Sequence, residues 1–244
     1  MATPFSLGDF DYAHRGLWSK DDVPENSIAA YDAAIAAGIA MEFDIRLSKD
    51  GVPVCFHDRT LEKMTGRPGD LADFTAAELA TFKLANTQET IPTLEAVLAR
   101  WPHHMPLIVE IKAMDIPPVP VAQATAKQVE AYEGRAAIIS FNKEAVAAIP
   151  QTIPRGLLIE KIYKSSTAEF DASLEDALSL QVDLLAIWRD DIERAAPFAI
   201  QHGLGLVVWT VQSAASSQAV APYADAQIFE SFAPELVAPS RINR

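Results

Sequence analysis

Short runs of Val, Ile, Leu and Phe recur at roughly 10–14, 40–46, 53–57, 106–111, 136–140, 155–160, 184–188, 205–211 and 226–230. Their length and composition are those of strands. Between most of them lie alanine-rich amphipathic stretches with helix start and stop signals. Asn26 precedes a stretch from Ser27 to Ala37 that Gly38 closes, and Thr75 with Glu78 reads as a capping box. Strand and helix alternate, which predicts an α/β fold. No low-complexity tract, charge block, long linker or repeat divides the sequence, so residues 1–244 read as one domain.

Nine strand candidates are one too many for a closed eight-stranded barrel, and spacing identifies the extra one. About six residues separate the run ending near Arg46 from Pro53, whereas a parallel crossover needs a dozen or more. The 53–57 run must therefore return antiparallel, and Asp50-Gly51 is a strong hairpin signal. Setting this arm aside leaves eight strands, so the prediction is a (βα)8 TIM barrel with an antiparallel hairpin, about 40–57, at its C-terminal face. A two-residue turn at Asp50 and Gly51 places Asp44 opposite His57, on one face with Glu42.

That pairing gathers two carboxylates and an imidazole. Ionised carboxylates are costly on an inward strand face unless something cationic meets them. The LIVEIK run at 107–112 repeats the pattern, with Glu110 and Lys112 two residues apart amid apolar neighbours. Three acidic oxygen donors suit one hard divalent cation, Mg²⁺ or Ca²⁺. Buried ion pairs, Glu110 with Lys112 or Glu42 with Arg46, would account for the same residues without a metal. His14 closes the first strand at the barrel end where sites of this architecture lie, and Arg15 and Gly16 begin its loop. Two imidazoles beside fixed positive charge from Arg15 and Lys112 are what in-line displacement at phosphorus requires. His103, His104 and His202 read as surface residues.

Composition narrows the possible partners. With 20 basic and 33 acidic residues the net charge is −13, which argues against nucleic acid and anionic membrane. A single cysteine, Cys55, excludes an internal disulfide framework and a thiolate zinc finger. No apolar run reaches the roughly 20 residues of a spanning helix, and the first residues lack a secretion signal, so a cytoplasmic location is expected.

The motifs AHRG at 13–16, PEN at 24–26, EFD at 42–44, DG at 50–51, HD at 57–58 and EIK at 110–112 together resemble the signature of the glycerophosphodiester phosphodiesterase family. DRTLEKMTG at 58–66, SFN at 140–142 and WTV at 209–211 extend the resemblance over nearly the whole chain. It implies a distorted (βα)8 barrel that hydrolyses glycerophosphodiesters to glycerol 3-phosphate and an alcohol with one divalent cation. It further implies metal ligation by Glu42, Asp44 and Glu110, acid/base roles for His14 and His57, and phosphate contacts from Arg15 and Lys112. Trp209, Trp18 and Trp188 fall near strand ends, where each can face the alcohol or pack; Trp209 is taken as substrate-binding. Two positions depart from the family pattern: Glu230 and Ser231 stand where a Thr-Asp pair is usual, and Gln212 where an Asn is common. After HD the chain is expected to run straight into a helix with no large inserted module, leaving the pocket open. A related lyase or transferase forming a cyclic phosphate, and a catalytically silent barrel, are the competing readings.

Overall fold

The structure, a computed structural model, describes residues 7–242. Strand β1 (Tyr12–His14) leads through α1 (Ile28–Ala37) to β2 (Ala40–Leu47), which turns back as β3 (Pro53–Cys55). Two short helices, α2 (Glu62–Thr65) and α3 (Ala76–Leu79), precede α4 (Leu94–Arg100) and β4 (Leu107–Ile111). Regular alternation follows: α5 (Pro118–Ala131), β5 (Ala136–Ser140), α6 (Lys143–Ala148), β6 (Arg155–Leu158), α7 (Thr167–Ser179) and β7 (Leu184–Trp188). The chain then runs through α8 (Ile192–His202), β8 (Gly205–Val211), α9 (Ala214–Val220) and β9 (Ala226–Phe229). β1 pairs in parallel with both β2 and β9, so eight strands close into a (βα)8 barrel, and β3 pairs antiparallel with the end of β2.

The two-residue period of the strands sorts the side chains. One set packs outward on the helices, among them Phe43, Ile45, Val109 and Leu185. The other fills the barrel with Tyr12, Ala40, Ile108, Ala137, Ile139, Leu184, Ala186, Val207 and Ile228. Continuing that inward series toward the strand ends, the residues become polar or aromatic: His14, Glu42, Asp44, Glu110, Trp188, Trp209 and, just past β9, Glu230. Register aligns them, since His14 pairs with Glu42 across β1–β2, and Asp44 with Glu110 across β2–β4. The apolar barrel is thus a floor beneath a polar layer.

Three expectations need correction. The hairpin turn has three residues, not two: Ser48 N–H bonds the Val52 carbonyl at 3.0 Å, and Gly51 takes the left-handed conformation at φ 78° that this turn requires. Pairing shifts by one, Ile45 with Cys55, so the Phe56 N–H rather than His57 meets the Asp44 carbonyl, at 3.1 Å. His57 lies two residues beyond the last ladder pair, with its carbonyl held by Arg46 Nε at 2.7 Å. The α1 cap is Ser27, whose Oγ accepts from the Ala30 N–H at 3.2 Å; Asn26 at φ 54° stands outside the helix. After the HD motif the chain forms α2, a 3-10 turn and α3 around an apolar cluster of Phe56, Leu61, Leu71, Leu79, Phe82 and Ile91, not one helix.

At the opposite end of the barrel, Asp11 Oδ1 accepts the Gln227 N–H at 2.9 Å and ties β9 to the start of β1. Burial pushes its pKa up to about 6, against the Gln227 and Ser240 hydrogen bonds that lower it. A folded-state value above the unfolded one means stability that is full at low pH and lost as pH rises through 6, on the order of 1–3 kcal/mol. Asp11→Asn keeps an oxygen for the Gln227 N–H without the charge. It should melt several degrees above the parent at pH 8 and level with it at pH 4, measured by thermal denaturation. A variant equally destabilised at both values would contradict this account.

Candidate active site

The site opens where β1 ends. Arg15 and Gly16 both take positive φ, 61° and 81°, and the Arg15 N–H bonds the Glu42 carbonyl at 2.7 Å. A Cβ on Gly16 would sit 2.9 Å from the Ala30 side chain, so only glycine lets the loop pack on α1. This turn folds Arg15 back over β2. Its Nε lies 3.2 Å from Asp44 Oδ2, and its Nη1 donates to Glu25 Oε1 at 2.9 Å.

Glu42, Asp44 and Glu110 each place a carboxylate oxygen within 4.8 Å of the others, and all three are buried. Asp44 is the best supported. Asn26 Nδ2 donates to its Oδ2 at 2.9 Å, Lys112 Nζ lies 3.5 Å from its Oδ1, and the Asp44 N–H donates to Asn26 Oδ1 at 3.2 Å. Burial opposes its ionisation, but Lys112, Arg15 and the two histidines outweigh it and hold its pKa far below the usual carboxylate range. Glu42 is the reverse case: burial, then Asp44 and Glu110, push its pKa well up, and its Oε1 has no hydrogen-bond partner. Lys112 also donates to Glu110 Oε1 at 2.7 Å, and these carboxylates, against burial, raise the pKa of the ammonium. Of the two ion pairs named as metal-free alternatives, Glu110–Lys112 is therefore present. The alternative Glu42–Arg46 pair is not, because Arg46 turns to Asp115 at 2.8 Å.

The imidazoles are each held from behind. His14 Nδ1 is 2.7 Å from Glu230 Oε2, and His57 Nδ1 is 2.7 Å from Asp58 Oδ1. His14 Nε2 lies 3.9 Å from Glu42 Oε2. Glu230 has a second tie from Gln212 Nε2 at 2.8 Å, and Arg189 Nη1 donates to Gln212 Oε1 at 3.0 Å. Burial favours the neutral carboxyl of Glu230, yet His14 and Gln212 win and bring its pKa down to about 2. Burial lowers the pKa of His57, with Asp44 and Asp58 opposing. The two departures at Glu230 and Gln212 thus form a single support for His14.

His14, Arg15, Glu42, His57, Glu110, Lys112 and Trp209 line one cleft of about 420 Å³, with Asp44 enclosed beneath it. All eight residues selected from sequence meet there, although His57 arrives by a different register. Trp188 joins them and Trp18 does not. His103 and His202 pack on Tyr132 and Phe198, away from the cleft. Sequence reasoning gave no role to Asn26, Asp58 or Glu230 as supports. The signal for Glu230 was its position two residues beyond Ile228 on the inward face of β9.

The arrangement offers two imidazoles, a hard-oxygen cluster and two cations around one space, a set suited to displacement at a phosphodiester. Comparison with known proteins agrees. Residues 14–229 match the model of the glycerophosphoryl diester phosphodiesterase family. The glycerophosphodiester phosphodiesterase of Caldanaerobacter subterraneus subsp. tengcongensis is 31% identical over 211 residues, covering 82% of this chain and 84% of that protein. YhdW of Bacillus subtilis, assigned provisionally to the same activity, is 39% identical over 107 residues, which span less than half of that protein, 43%. Among solved structures, an Oleispira antarctica phosphodiesterase in complex with its product sn-glycerol-3-phosphate superposes with a TM-score of 0.75 at 24% identity, covering 90% of this chain and 92% of that one. An Agrobacterium tumefaciens member gives 0.78 at 20%, covering 95% and 96%; at these identities the likeness is one of fold. From the match over 14–229 and the Caldanaerobacter relative it follows that the chain belongs to the glycerophosphoryl diester phosphodiesterase family, a family of phosphoric diester hydrolases.

Proposed function

We propose that this protein hydrolyses glycerophosphodiesters to glycerol 3-phosphate and an alcohol with the help of one divalent cation, Mg²⁺ or Ca²⁺. One observation carries the reading: each of two imidazoles is backed at Nδ1 by its own carboxylate, at 2.7 Å in both cases, beside the buried acidic cluster. A carboxylate on Nδ1 holds that nitrogen protonated and leaves Nε2 for proton transfer. Arg15 and Lys112 supply positive charge for the phosphate. One histidine removes the proton of the attacking hydroxyl as its oxygen bonds phosphorus. The other donates a proton to the alcohol oxygen as its bond to phosphorus breaks. Glu42, Asp44 and Glu110 fit a hard cation: three oxygen donors, two of them with an oxygen lacking any hydrogen-bond partner, and more negative charge than Arg15 and Lys112 offset. Bound there, such a cation supplies Lewis-acid stabilisation of charge on the phosphate.

The attacking hydroxyl can belong to water or to the substrate's own glycerol, and the second case would give a cyclic phosphate. The decisive assay follows glycerol 3-phosphate and cyclic product by phosphorus NMR, with Mg²⁺, Ca²⁺ or chelator. Glycerol 3-phosphate should accumulate only with a metal. A cyclic end product would move the protein to the lyase reading, and no turnover under any condition would leave the silent barrel.

A further inference from the structure

The half of the cleft built by β5–β8 supplies no acid, base or acidic-cluster residue to the chemistry described above, only Gln212 and Arg189 behind Glu230. Trp188 at the end of β7 is registered beside Trp209 of β8, with ring centres 5.3 Å apart, and Phe141 just past β5 meets Trp209 edge-on at 5.5 Å. Lys161, three residues past β6, lays its ammonium 3.5 Å from the centre of the Trp188 ring and 5.1 Å from that of Trp209. Among the described residues no carboxylate lies within 4 Å of this ammonium. Glu160, the acidic residue lining this half, turns Oε1 onto the Lys161 N–H at 3.0 Å, and Lys164 adds a second cation to the lining.

This half is also the open one. Tyr163, whose ring centre lies 5.6 Å from the Lys161 ammonium, is 67% exposed, whereas Arg15, Glu25, Asn26 and Asp44 on the β1–β2 side are buried or nearly so. Of a diester's two substituents, the one that varies in size and must depart fits the open side. Aromatic faces are what binds a quaternary ammonium. Here the protein's own ammonium already covers them, so a second cation would meet repulsion where it would otherwise find its cage. A hydroxyl or phosphate oxygen would instead accept hydrogen bonds from Lys161 Nζ, with the carbon face of a polyol against the indoles.

We propose that Lys161, Trp188 and Trp209 form the leaving-alcohol subsite, and that it selects an alcohol carrying hydroxyl or phosphate oxygens and no positive charge. The inference rests on the phosphodiesterase reading given above. Its test is kcat/KM on glycerophosphoglycerol, glycerophosphoinositol and glycerophosphocholine for the parent enzyme, Lys161→Met and Lys161→Glu. The parent should prefer the two polyol substrates by about tenfold or more over the choline ester. Lys161→Met should narrow the gap by raising KM for the polyols, and Lys161→Glu should reverse it. A parent that treats all three alike or favours the choline ester, or variants that lose the same factor on all three, would overturn the subsite while leaving the phosphodiesterase reading intact. If the parent cleaves bis(p-nitrophenyl) phosphate but none of the three, the glycerophosphodiester reading itself fails, and the subsite with it.

Discussion

On a glycerophosphodiester, His14→Ala and His57→Ala should each lower kcat by about 10² to 10⁴, the usual worth of a positioned acid or base. Metal affinity should change little, because neither imidazole belongs to the acidic cluster. The double variant should lose less than the product of the two factors, since groups acting together are not additive. The surroundings separate the roles. Among the described residues the Glu230 carboxylate has His14 and Gln212 as its hydrogen-bond partners, whereas Asp58 shares its charge between His57 and Lys63, 3.6 Å from Oδ2. Burial further disfavours the charged form of His57. On the proposed mechanism these contacts favour His14 as the acid and His57 as the base. An aryl leaving group departs without protonation, so on bis(p-nitrophenyl) phosphate His14→Ala should recover most of its rate and His57→Ala should not. Glu230→Gln should behave as a weaker His14→Ala, impaired on the natural diester and near normal on the aryl one. Equal deficits for both histidine variants on the aryl substrate would refute acid/base roles and leave only electrostatic ones.

The barrel was legible because its signals are local. Runs of β-branched and apolar residues, separated by capped helices, locate eight parallel strands, and the short 47–53 connection identifies the antiparallel arm. The acidic cluster was legible for a related reason: Glu42 and Asp44 are two apart on one strand, and Glu110 is an inward residue of the neighbouring one. What could not be read is anything set by one residue of turn geometry. Lys49 belongs to the hairpin loop, which moves the register by one and places Phe56, not His57, against Asp44. His57 still reaches the cleft because the ladder ends at Cys55 and frees it from the strand's alternation. Asn26 looked like a helix cap because Asn is a good one. Its side chain instead spans Asp44 and Tyr31, a long-range use that no spacing announces. The support of His14 by Glu230 joins residues 216 positions apart, so only closure of the barrel through β1–β9 brings them together.

Conservative substitutions in the acidic cluster should abolish metal-dependent activity alike yet move metal-free stability in opposite directions. If the cluster holds the proposed cation, losing one of its carboxylates removes charge stabilisation worth several kcal/mol, so Glu42→Gln and Asp44→Asn should each cost on the order of 10³ in rate and lose the metal-induced rise in melting temperature. Without metal the two carboxylates sit differently. Burial and the repulsion of Asp44 and Glu110 outweigh the pull of Arg15 and Lys112 on Glu42 and push its pKa up; the amide relieves that repulsion, so Glu42→Gln should gain about 1 kcal/mol or more. Asp44 is the charge on which buried Arg15 and Lys112 converge, and its pKa is held down. Asp44→Asn keeps an oxygen for Asn26 but leaves those cations undercompensated, and should lose ~3 kcal/mol. Chemical denaturation in chelator reads both signs, and calorimetric titration with Mg²⁺ and Ca²⁺ reads the affinity. A Glu42→Gln protein that is destabilised in chelator and still binds metal as the parent does would show that the cluster is held by its own ion pairs and is no metal site. The opposite signs would mark Glu42 as the carboxylate whose unfavourable burial is kept for the ion, at the expense of stability in its absence.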